Sequence, residues 1–245
     1  NKTQGQNLDF NSIDTFKDDI FKTKDALNGI ERLTAAKSKA EKLIDSLKFI
    51  NKAQFTHAND EIMNTNSIAQ LSRIVNQAFD LNDAMKSLRD ALNNQALPVQ
   101  ASSNYINSDE DLKQQFDHAL SNARKVLAKE TGKNLDEIQI EGLKQVIEDT
   151  KDALNGIQRL SKAKDKAIQY VQSLSYINDA QRHIAENNIH TSDDLSSLAN
   201  TLSNASDLDN AMKDLQDTIE SNSSSVPNSV NYINADKNLQ IEFDE

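Results

Sequence analysis

The chain has 245 residues, a formal net charge of −11 at pH 7 and no cysteine. The charge argues against nucleic acid and anionic membrane surfaces as partners, because both need a basic footprint, and the lack of cysteine excludes disulfides, thiolate chemistry and zinc-finger sites. With only five glycines and two prolines, the turn residues of an all-β chain are scarce, and an all-α fold is favoured.

The chain is an internal repeat. Residues 23–107 return as residues 150–234 at a constant offset of 127 positions, without a gap, and 37 of the 85 aligned residues are identical. The octapeptide TKDALNGI, for example, stands at 23–30 and again at 150–157. A fixed period of this length is typical of an array whose role is mechanical or multivalent.

The first apolar stripe follows the 3–4 spacing of a helix from Ile13 to Leu47 and returns from Leu143 to Leu174. Both stripes keep their phase through an Asn-Gly pair, and a glycine inside a helix costs only about 1 kcal/mol. The phase therefore predicts one continuous helix over 136–175, with a twin in the first copy. The alternative is that each helix ends at this pair, with Gly29 or Gly156 as a left-handed cap.

The next two helices of each copy begin at recognisable caps. Asn51 and Asn178 precede Gln54 and Gln181 by three residues, which is the spacing of a capping box. The third helix is expected to be capped by one of two neighbouring polar residues in each copy: Asn66 or Ser67, and Thr191 or Ser192. Three amphipathic helices with short polar loops predict an antiparallel three-helix bundle.

Each copy then contains its one proline. Pro98 and Pro227 are predicted to stop the third helix, and the Ser/Asn-rich stretches 98–104 and 223–231 are predicted to be linkers. Two bundle types should then alternate and share the long helix. The predicted fold is a tandem repeat of alternating three-helix bundles that forms an elongated rod.

A further helix follows the sequence Asn-Tyr-Ile-Asn at 104–107. Thr131-Gly132 then turns the chain, and Asn134, with Glu137 at the third helical position, is expected to restart it. The predicted buried face of the first of these helices consists of Leu112, Phe116, Leu120, Ala123 and Leu127.

Histidines and acidic residues, the candidates for metal binding or catalysis, form no known metal-binding or catalytic motif in the sequence. The four histidines do not recur between the copies, so we expect them at the surface and predict no metal site: they are His57, His118, His183 and His190. Two acidic clusters, Asp109-Glu110-Asp111 and Asp193-Asp194, are expected in first helical turns, where carboxylates favour the positive end of the helix dipole. No catalytic residue or cofactor site is predicted.

Residues that recur in both copies are predicted to have structural roles. The apolar ones are predicted to lie in the core: Leu27, Ile30, Leu33, Leu47, Ile50, Leu71, Leu81, Met85 and Leu88. Met85 and its repeat Met212 should fill gaps. Arg32 and Arg159 are expected to form a salt bridge or lie at the surface, and Lys37, Lys39, Lys42, Lys164 and Lys166 are expected on a solvated face.

The patterns TKDALNGIxRLxxAKxKA, SLxxINxAQ and LxxAMKxL closely resemble the FIVAR and GA-like repeats of giant staphylococcal cell-wall adhesins, over essentially the whole chain. The resemblance implies alternating three-helix bundles, export, wall attachment and adhesion to matrix proteins such as fibronectin. GA modules elsewhere bind serum albumin through their second and third helices. The corresponding stretches here, 55–76 and 182–203, diverge between the copies, so no binding residue is carried over.

The resemblance assigns each part of the chain to a bundle type. The predicted domains are a partial FIVAR-type bundle at 1–29, a GA-like bundle at 30–97, a linker at 98–104, a FIVAR-type bundle at 105–156, a GA-like bundle at 157–222, a linker at 223–231 and the start of the next copy at 232–245.

The sequence therefore predicts a non-enzymatic spacer segment of a bacterial cell-surface adhesin. The alternative is a multivalent module that binds fibronectin or serum albumin. Neighbouring repeats of the same chain are expected as partners, the segment itself should make no membrane contact, and a monomer is expected. Any signal peptide or wall anchor is expected outside this sequence.

Overall fold

The computed structural model describes residue 5 and residues 7–245. Within this part all regular structure is α-helical, which confirms the all-α fold. Twelve helices follow one another: α1 (Phe10–Asp25), α2 (Gly29–Asp45), α3 (Lys52–Asn64), α4 (Ile68–Gln100), α5 (Ser103–Ile106), α6 (Glu110–Leu127), α7 (Glu137–Asp152), α8 (Gly156–Ser173), α9 (Asp179–Thr191), α10 (Leu195–Ser225), α11 (Val230–Ile233) and α12 (Lys237–Asp244).

The chain divides into two compact units. The first consists of Asn1–Asn93 with Ala119–Glu148, and the second of Asn94–His118 with Asp149–Glu245. Each contains a three-helix bundle with a purely aliphatic core, which burial of small and branched side chains stabilises in the absence of tryptophan.

In the first unit, α2, α3 and the beginning of α4 form the bundle. Its buried residues are Ala40, Ile44, Leu47, Ile50, Ala58, Ile62, Leu71, Ile74 and Ala78. In the second unit the same roles fall to α8, α9 and the beginning of α10. Its buried residues are Ala167, Val171, Ile177, Ala185, Ile189, Leu198 and Ala205.

The capping boxes predicted for the second helix of each bundle are confirmed. The side chain of Asn51 accepts a hydrogen bond from the amide of Gln54, whose side chain accepts one from the amide of Asn51. Asn178 and Gln181 form the same reciprocal pair before α9. Ser67 directly precedes α4, and its hydroxyl accepts from the amide of Gln70.

Two other predicted caps are wrong. Neither Thr191 nor Ser192 caps α10, because Asp194 directly precedes the helix and its carboxylate accepts from the amide of Ser197 at 2.8 Å. Before α7 the reciprocal pair is Asp136 with Gln139 rather than Asn134 with Glu137. In both cases a carboxylate two or three residues further along the chain lies where the first turn begins.

The predicted continuous helix over 136–175 is wrong, because α7 ends at Asp152 and α8 begins at Gly156. The twin is interrupted in the same way between Asp25 and Gly29. The alternative correctly predicts that each helix is interrupted near this Asn-Gly pair. Its left-handed glycine cap is wrong, because no glycine of the described residues has a positive φ. The break contains three residues, nearly one helical turn of 3.6, so the apolar stripe keeps its phase across it.

Pro98 does not stop the long helix as predicted. It lies inside α4, and the amide of Ala101 still donates to the carbonyl of Leu97 at 3.1 Å. Residues 98–104 thus contain the end of α4 and the start of α5 rather than an extended linker. In the second copy α10 ends at Ser225, two residues before Pro227.

The predicted core is only partly buried. On α6, Phe116, Leu120 and Ala123 are buried as predicted, whereas Leu112 and Leu127 are partly exposed. Leu47, Ile50, Leu71, Met85 and Leu88 are also buried, and Leu33 and Leu81 are half-buried against the first core. Leu27 and Ile30 are exposed, because no described side chain covers the turn in which they lie.

Candidate functional site at the helix junctions

The predicted chemistry-bearing residues serve structure instead of forming a pocket. All four histidines are exposed, and the described residues contain no cluster of acidic and histidine side chains that could hold a metal ion. Glu110 lies in the first turn of α6, where the hydrogen bond from Lys113 lowers the pKa of its carboxyl group. The acidic clusters therefore mark helix N-termini, as the sequence predicts.

The largest concentration of long-range polar contacts joins α5 and the start of α6 to α8. We call this set, Asn104 and Asn107–Asp109 with Asn155–Arg159, the α5–α8 junction. Asn104 receives a hydrogen bond at Oδ1 from the amide of Ile157 at 3.0 Å and donates through Nδ2 to the carbonyl of Leu154 at 3.3 Å. One side chain thus satisfies both ends of the break between α7 and α8.

Ser108 acts as the cap of α8 from a distant part of the sequence. Its Oγ accepts hydrogen bonds from the amides of Asn155 at 2.9 Å and Gly156 at 3.0 Å, and donates to the carbonyl of Asn104 at 2.6 Å. The first amides of a helix have no partner within the helix. An external hydroxyl that satisfies them fixes the position of α5 on the N-terminus of α8.

The close packing here requires a glycine. A Cβ atom at Gly156 would lie 2.0 Å from the carbonyl oxygen of Asn104 and 2.7 Å from the amide nitrogen of Ser108. Both are backbone atoms, which cannot turn aside as a flexible side chain does. At the equivalent Gly29 nothing lies within 4 Å.

The α5–α8 junction also contains a pair of charged side chains, Asp109 and Arg159. Asn155 accepts from the amide of Asp109 at 3.1 Å and donates to its carboxylate at 2.7 Å. Arg159 pairs with the same carboxylate at 3.0 Å and donates to the carbonyl of Asn107 at 2.6 Å. The salt bridge offered as one role of Arg159 is confirmed.

Asn107 extends the junction to the loop between α9 and α10. The residue is buried, its Nδ2 donates to the carbonyl of Asp193 at 3.0 Å, and its Oδ1 accepts from the amide of Leu195 at 2.8 Å. The hydroxyl of Ser103 donates to the same Asp193 carbonyl at 2.9 Å. The Asn-Tyr-Ile-Asn segment thus contacts two separate parts of the following bundle.

Tyr105 anchors the Asn-Tyr-Ile-Asn segment to the following helix, α6. The hydroxyl of Tyr105 donates to Asp117 at 2.6 Å, the ring packs edge-on against Phe116, and Gln100 also donates to Asp117. Burial, together with the Asp117 carboxylate, raises the pKa of Tyr105 to about 12. Tyr232 repeats the arrangement with Asp244 and Phe243.

A second junction lies in the first unit, where the start of α3 meets the loop after α6. We call it the α3 junction. Asn51 is buried and donates through Nδ2 to the carbonyls of Val126 at 3.1 Å and Lys133 at 2.9 Å, while Gln54 donates to the carbonyl of Leu135 at 2.9 Å. Both side chains combine the cap of their own helix with contacts about 80 residues away in sequence.

The backbone completes the α3 junction. The amide of Lys52 donates to the carbonyl of Lys129 at 2.8 Å, and the ammonium group of Lys129 donates back to the carbonyl of Ile50 at 2.6 Å. A Cβ atom at Gly132 would lie 2.3 Å from the carbonyl oxygen of Val126. The loop therefore also needs a glycine to approach α6 so closely.

The sequence identifies several of the junction residues but does not predict which groups they contact. Recurrence in both copies predicts structural roles for Asn51, Gln54, their repeats and Arg159. For residues 104–107 the sequence predicts only that they precede a helix, and for Ser108 it predicts nothing. Lys37 and Lys164, read as a solvated face, donate to the last carbonyls of α3 and α9, at Met63 and His190. Recurrence in both copies is a sequence signal for these residues except Ser108, whose equivalent is Ala235.

A shallow groove of about 530 Å³ lies beside α3. His57, Glu61 and Gln77 line it together with residues 134–139. At these three positions the second copy has Ile184, Asn188 and Asn204. The titratable groups of this lining, His57 and Glu61, are therefore specific to one copy, whereas an amide side chain is present at the third position in both.

Profiles of two known families match successive stretches of the chain. The GA module profile matches residues 30–84 and 157–211, and the FIVAR domain profile matches residues 84–155 and 211–245. The change from GA to FIVAR thus falls inside α4 and inside α10.

Relatives match along the whole chain. It is 37% identical over 244 residues to the extracellular matrix-binding protein ebh of Staphylococcus aureus strain MW2, and equally to the protein EbhA of strain Newman. These matches include all of this chain but only 2% and 7% of the respective relatives' lengths.

A solved structure shares the fold. The crystal structure of the 756–1003 domain of EbhA from S. aureus superimposes with a TM-score of 0.75 at 25% identity, over 81% of this chain and 80% of that one.

Proposed function

The chain belongs to the family of repeat proteins built from GA modules and FIVAR domains, to which the Ebh proteins belong, and from this premise we propose that it is a structural spacer segment of a bacterial cell-wall-associated adhesin. In this proposal the segment is non-catalytic, extracellular and elongated. Its role is to hold successive bundles at a set distance along the adhesin.

The observation that carries the proposal is which residues the two copies share. Eight junction residues recur, namely Asn51, Gln54, Asn104, Asn107, Asp109, Asn155, Gly156 and Arg159, whose repeats are Asn178, Gln181, Asn231, Asn234, Asp236, Asn28, Gly29 and Arg32. Ser108 is an exception, since its equivalent is Ala235. Between 55–76 and 182–203, by contrast, only Ala58, Ile62 and Leu71 are identical to their repeats, and all three are buried.

This contrast favours a spacer over a ligand site repeated in every copy. Contacts between bundles have to be made in each repeat, whereas a solvent-facing surface without a ligand is free to vary. The long helices fit the same role, since the 33 residues of α4 extend about 50 Å at 1.5 Å per residue. We propose the elongated arrangement of bundles as part of this function.

The alternative function is a multivalent module that binds host proteins, fibronectin or serum albumin. It is favoured by the printed name of the relatives, extracellular matrix-binding protein. Many weak sites on one string give high avidity when several engage together. In this alternative the variable surfaces would give each copy its own ligand preference.

The proposed location of the segment is based on its family. No helix of the described residues combines the length and apolarity needed to cross a membrane. We propose that the segment lies outside the cell as part of a wall-associated protein. We propose the bundle limits at residues 30, 98, 105, 157 and 223 that the sequence predicts. The family profiles themselves change inside α4.

Titration calorimetry separates the two functions. The spacer proposal predicts no saturable heat when the chain is titrated with serum albumin up to about 1 mM, or with fibronectin at the highest soluble concentration, since even a millimolar dissociation constant corresponds to about −4 kcal/mol. A saturable isotherm with either protein would contradict the spacer as the sole function. An unrelated three-helix bundle of similar charge serves as the control for dilution heat.

A further inference from the structure

The pair Asn155-Gly156 has the sequence at which asparagine deamidates most readily. Asparagine is one of the thermolabile residue types, and a following glycine has no side chain to shield its amide nitrogen or to restrict the backbone. In the whole sequence only Asn28-Gly29 shares this dipeptide, within the same octapeptide TKDALNGI. The α5–α8 junction therefore contains a chemically reactive bond.

Deamidation of this pair proceeds through a ring. The amide nitrogen of Gly156 gives its proton to a base in the solvent and attacks Cγ of Asn155. The N–Cγ bond forms, the Cγ–Nδ2 bond breaks, and ammonia leaves. Water then opens the succinimide ring at either of its two carbonyls, which yields aspartate or isoaspartate. No reactant other than water is needed, so access to the two groups decides how fast the reaction is.

The closed junction engages both reacting groups. The amide of Gly156 is buried and donates to Oγ of Ser108 at 3.0 Å, which keeps solvent from its proton. Asp109 holds the carboxamide of Asn155 at both ends: its amide donates to Oδ1 at 3.1 Å, and its carboxylate accepts from Nδ2 at 2.7 Å.

The backbone of Asn155 is also turned away from ring closure. The succinimide ring needs the nitrogen of Gly156 on the same side of the Cα–C bond as Cβ, whereas ψ of 13° holds it beside the amide nitrogen of Asn155 itself. Rotation toward Cβ would withdraw the Gly156 amide from Ser108, and the carbonyl oxygen of Asn104 already fills the space beside Gly156. Ring closure therefore requires the junction to open first.

The product would prevent the junction from closing again. A carboxylate at position 155 would face the carboxylate of Asp109 where Nδ2 now donates, and like charges so close together repel each other. The isoaspartate product also adds one carbon atom to the backbone directly before α8, which shifts the helix N-terminus away from Ser108. Opening is thus reversible before the reaction and permanent after it.

We propose that Asn155-Gly156 is a latent deamidation site, which the closed α5–α8 junction protects and which turns a lasting opening of the junction into an irreversible covalent change. Local opening exposes protected groups in proportion to the open population. The deamidated fraction therefore measures how long the junction has been open. The inference rests on the geometry of the second unit and applies to a spacer and to a ligand-binding module alike.

Peptide mass spectrometry tests the protection in the intact chain. Trypsin releases residues 25–32 and 152–159, two octapeptides that differ only at Glu31 and Gln158. Both asparagines should deamidate equally fast when the chain is unfolded in concentrated urea. In the folded chain at the same mildly alkaline pH, Asn155 should react at least about tenfold more slowly, because the junction is open in fewer than about one molecule in ten. Asn155 that reacts as fast in the folded as in the unfolded chain would overturn the proposal.

Two variants separate opening of the junction from unfolding of the whole unit. Ser108→Ala removes the acceptor of the Gly156 amide and should accelerate the reaction of folded Asn155 about fivefold, as expected for one lost hydrogen bond. Val171→Ala destabilises the buried core of the same unit outside the junction and should leave the rate unchanged. No acceleration by Ser108→Ala, or an equal acceleration by both variants, would contradict protection by the junction.

A double variant tests why the change is permanent. Asn155→Asp reproduces one product and should lower the melting temperature by a few degrees. Adding Asp109→Asn exchanges the donor and the acceptor of the same hydrogen bond, so it should recover most of the loss. A double variant that melts no higher than Asn155→Asp alone would refute charge repulsion as the barrier to closure.

Discussion

Replacing Gly156 by Ala is expected to lower the stability of the second unit by about 3 kcal/mol, the upper range for overpacking a well-packed site. The added methyl group would lie 2.0 Å from the carbonyl oxygen of Asn104, so α5 has to move away from the N-terminus of α8. Ser108 would then lose its hold on the amides of Asn155 and Gly156. The expected fall in melting temperature is about 6–12 °C.

Gly29→Ala is the matched control within the same chain. It changes the same residue of the same motif, but the space around Gly29 is open. Because alanine is the better helix former, this variant should be neutral or more stable by up to about 1 kcal/mol. Thermal unfolding of both variants, followed by circular dichroism, measures the difference. Equal shifts would show that the contact with Asn104 is not made.

Asn51→Asp is expected to destabilise the first unit by about 3 kcal/mol. The carboxylate still caps α3 as well as an amide does. It cannot donate, however, so the buried carbonyl of Val126 and the partly buried carbonyl of Lys133 lose this donor, at about 1–3 kcal/mol for an unsatisfied buried group. It also places a negative charge beside two carbonyl oxygens.

Asn178→Asp provides the control, because Asn178 caps α9 in the same way but is exposed. There the substitution should be neutral or slightly stabilising, since a carboxylate favours the N-terminus of a helix. Urea denaturation of the two variants compares the free energies of unfolding. A stability loss that is the same at both positions would mean that Asn51 acts only as a cap.

Sequence patterns predict those features of this fold that depend on neighbours in the chain. The capping boxes of Asn51 and Asn178 span three residues, and the core stripes of α2, α3 and α4 follow the helical period. These features were confirmed. The break before Gly156 escaped the same reasoning because three missing helical residues leave the phase of the stripe nearly unchanged.

The junctions could not be predicted from local patterns. Ser108 caps α8 across 48 positions of sequence, and Asn107 reaches Leu195 across 88. No spacing rule connects residues so far apart, and a short polar segment such as 104–107 reads as a loop when it is considered alone. The recurrence of Asn107 as Asn234 points to a role that every repeat needs, but Ser108 gives no such signal, because its equivalent is Ala235.

Pro98 shows the converse limit, in which a strong local rule is overridden. A proline removes one backbone donor and normally ends or bends a helix. In α4 it lies two residues before the last residue, Gln100, and the following turn still forms through the hydrogen bond from Ala101 to Leu97. The GA and FIVAR matches meet inside this helix, whereas the helix predicted over 136–175 is interrupted before Gly156.

Small-angle X-ray scattering tests the central claim, that this chain is a spacer, most directly. Data are collected over a concentration series and extrapolated to zero concentration, so that contacts between molecules do not lengthen the apparent particle. The account predicts a radius of gyration well above the roughly 18 Å of a compact globule of this length, with a pair-distance distribution skewed toward long distances. A radius near 18 Å with a symmetric distribution would contradict it.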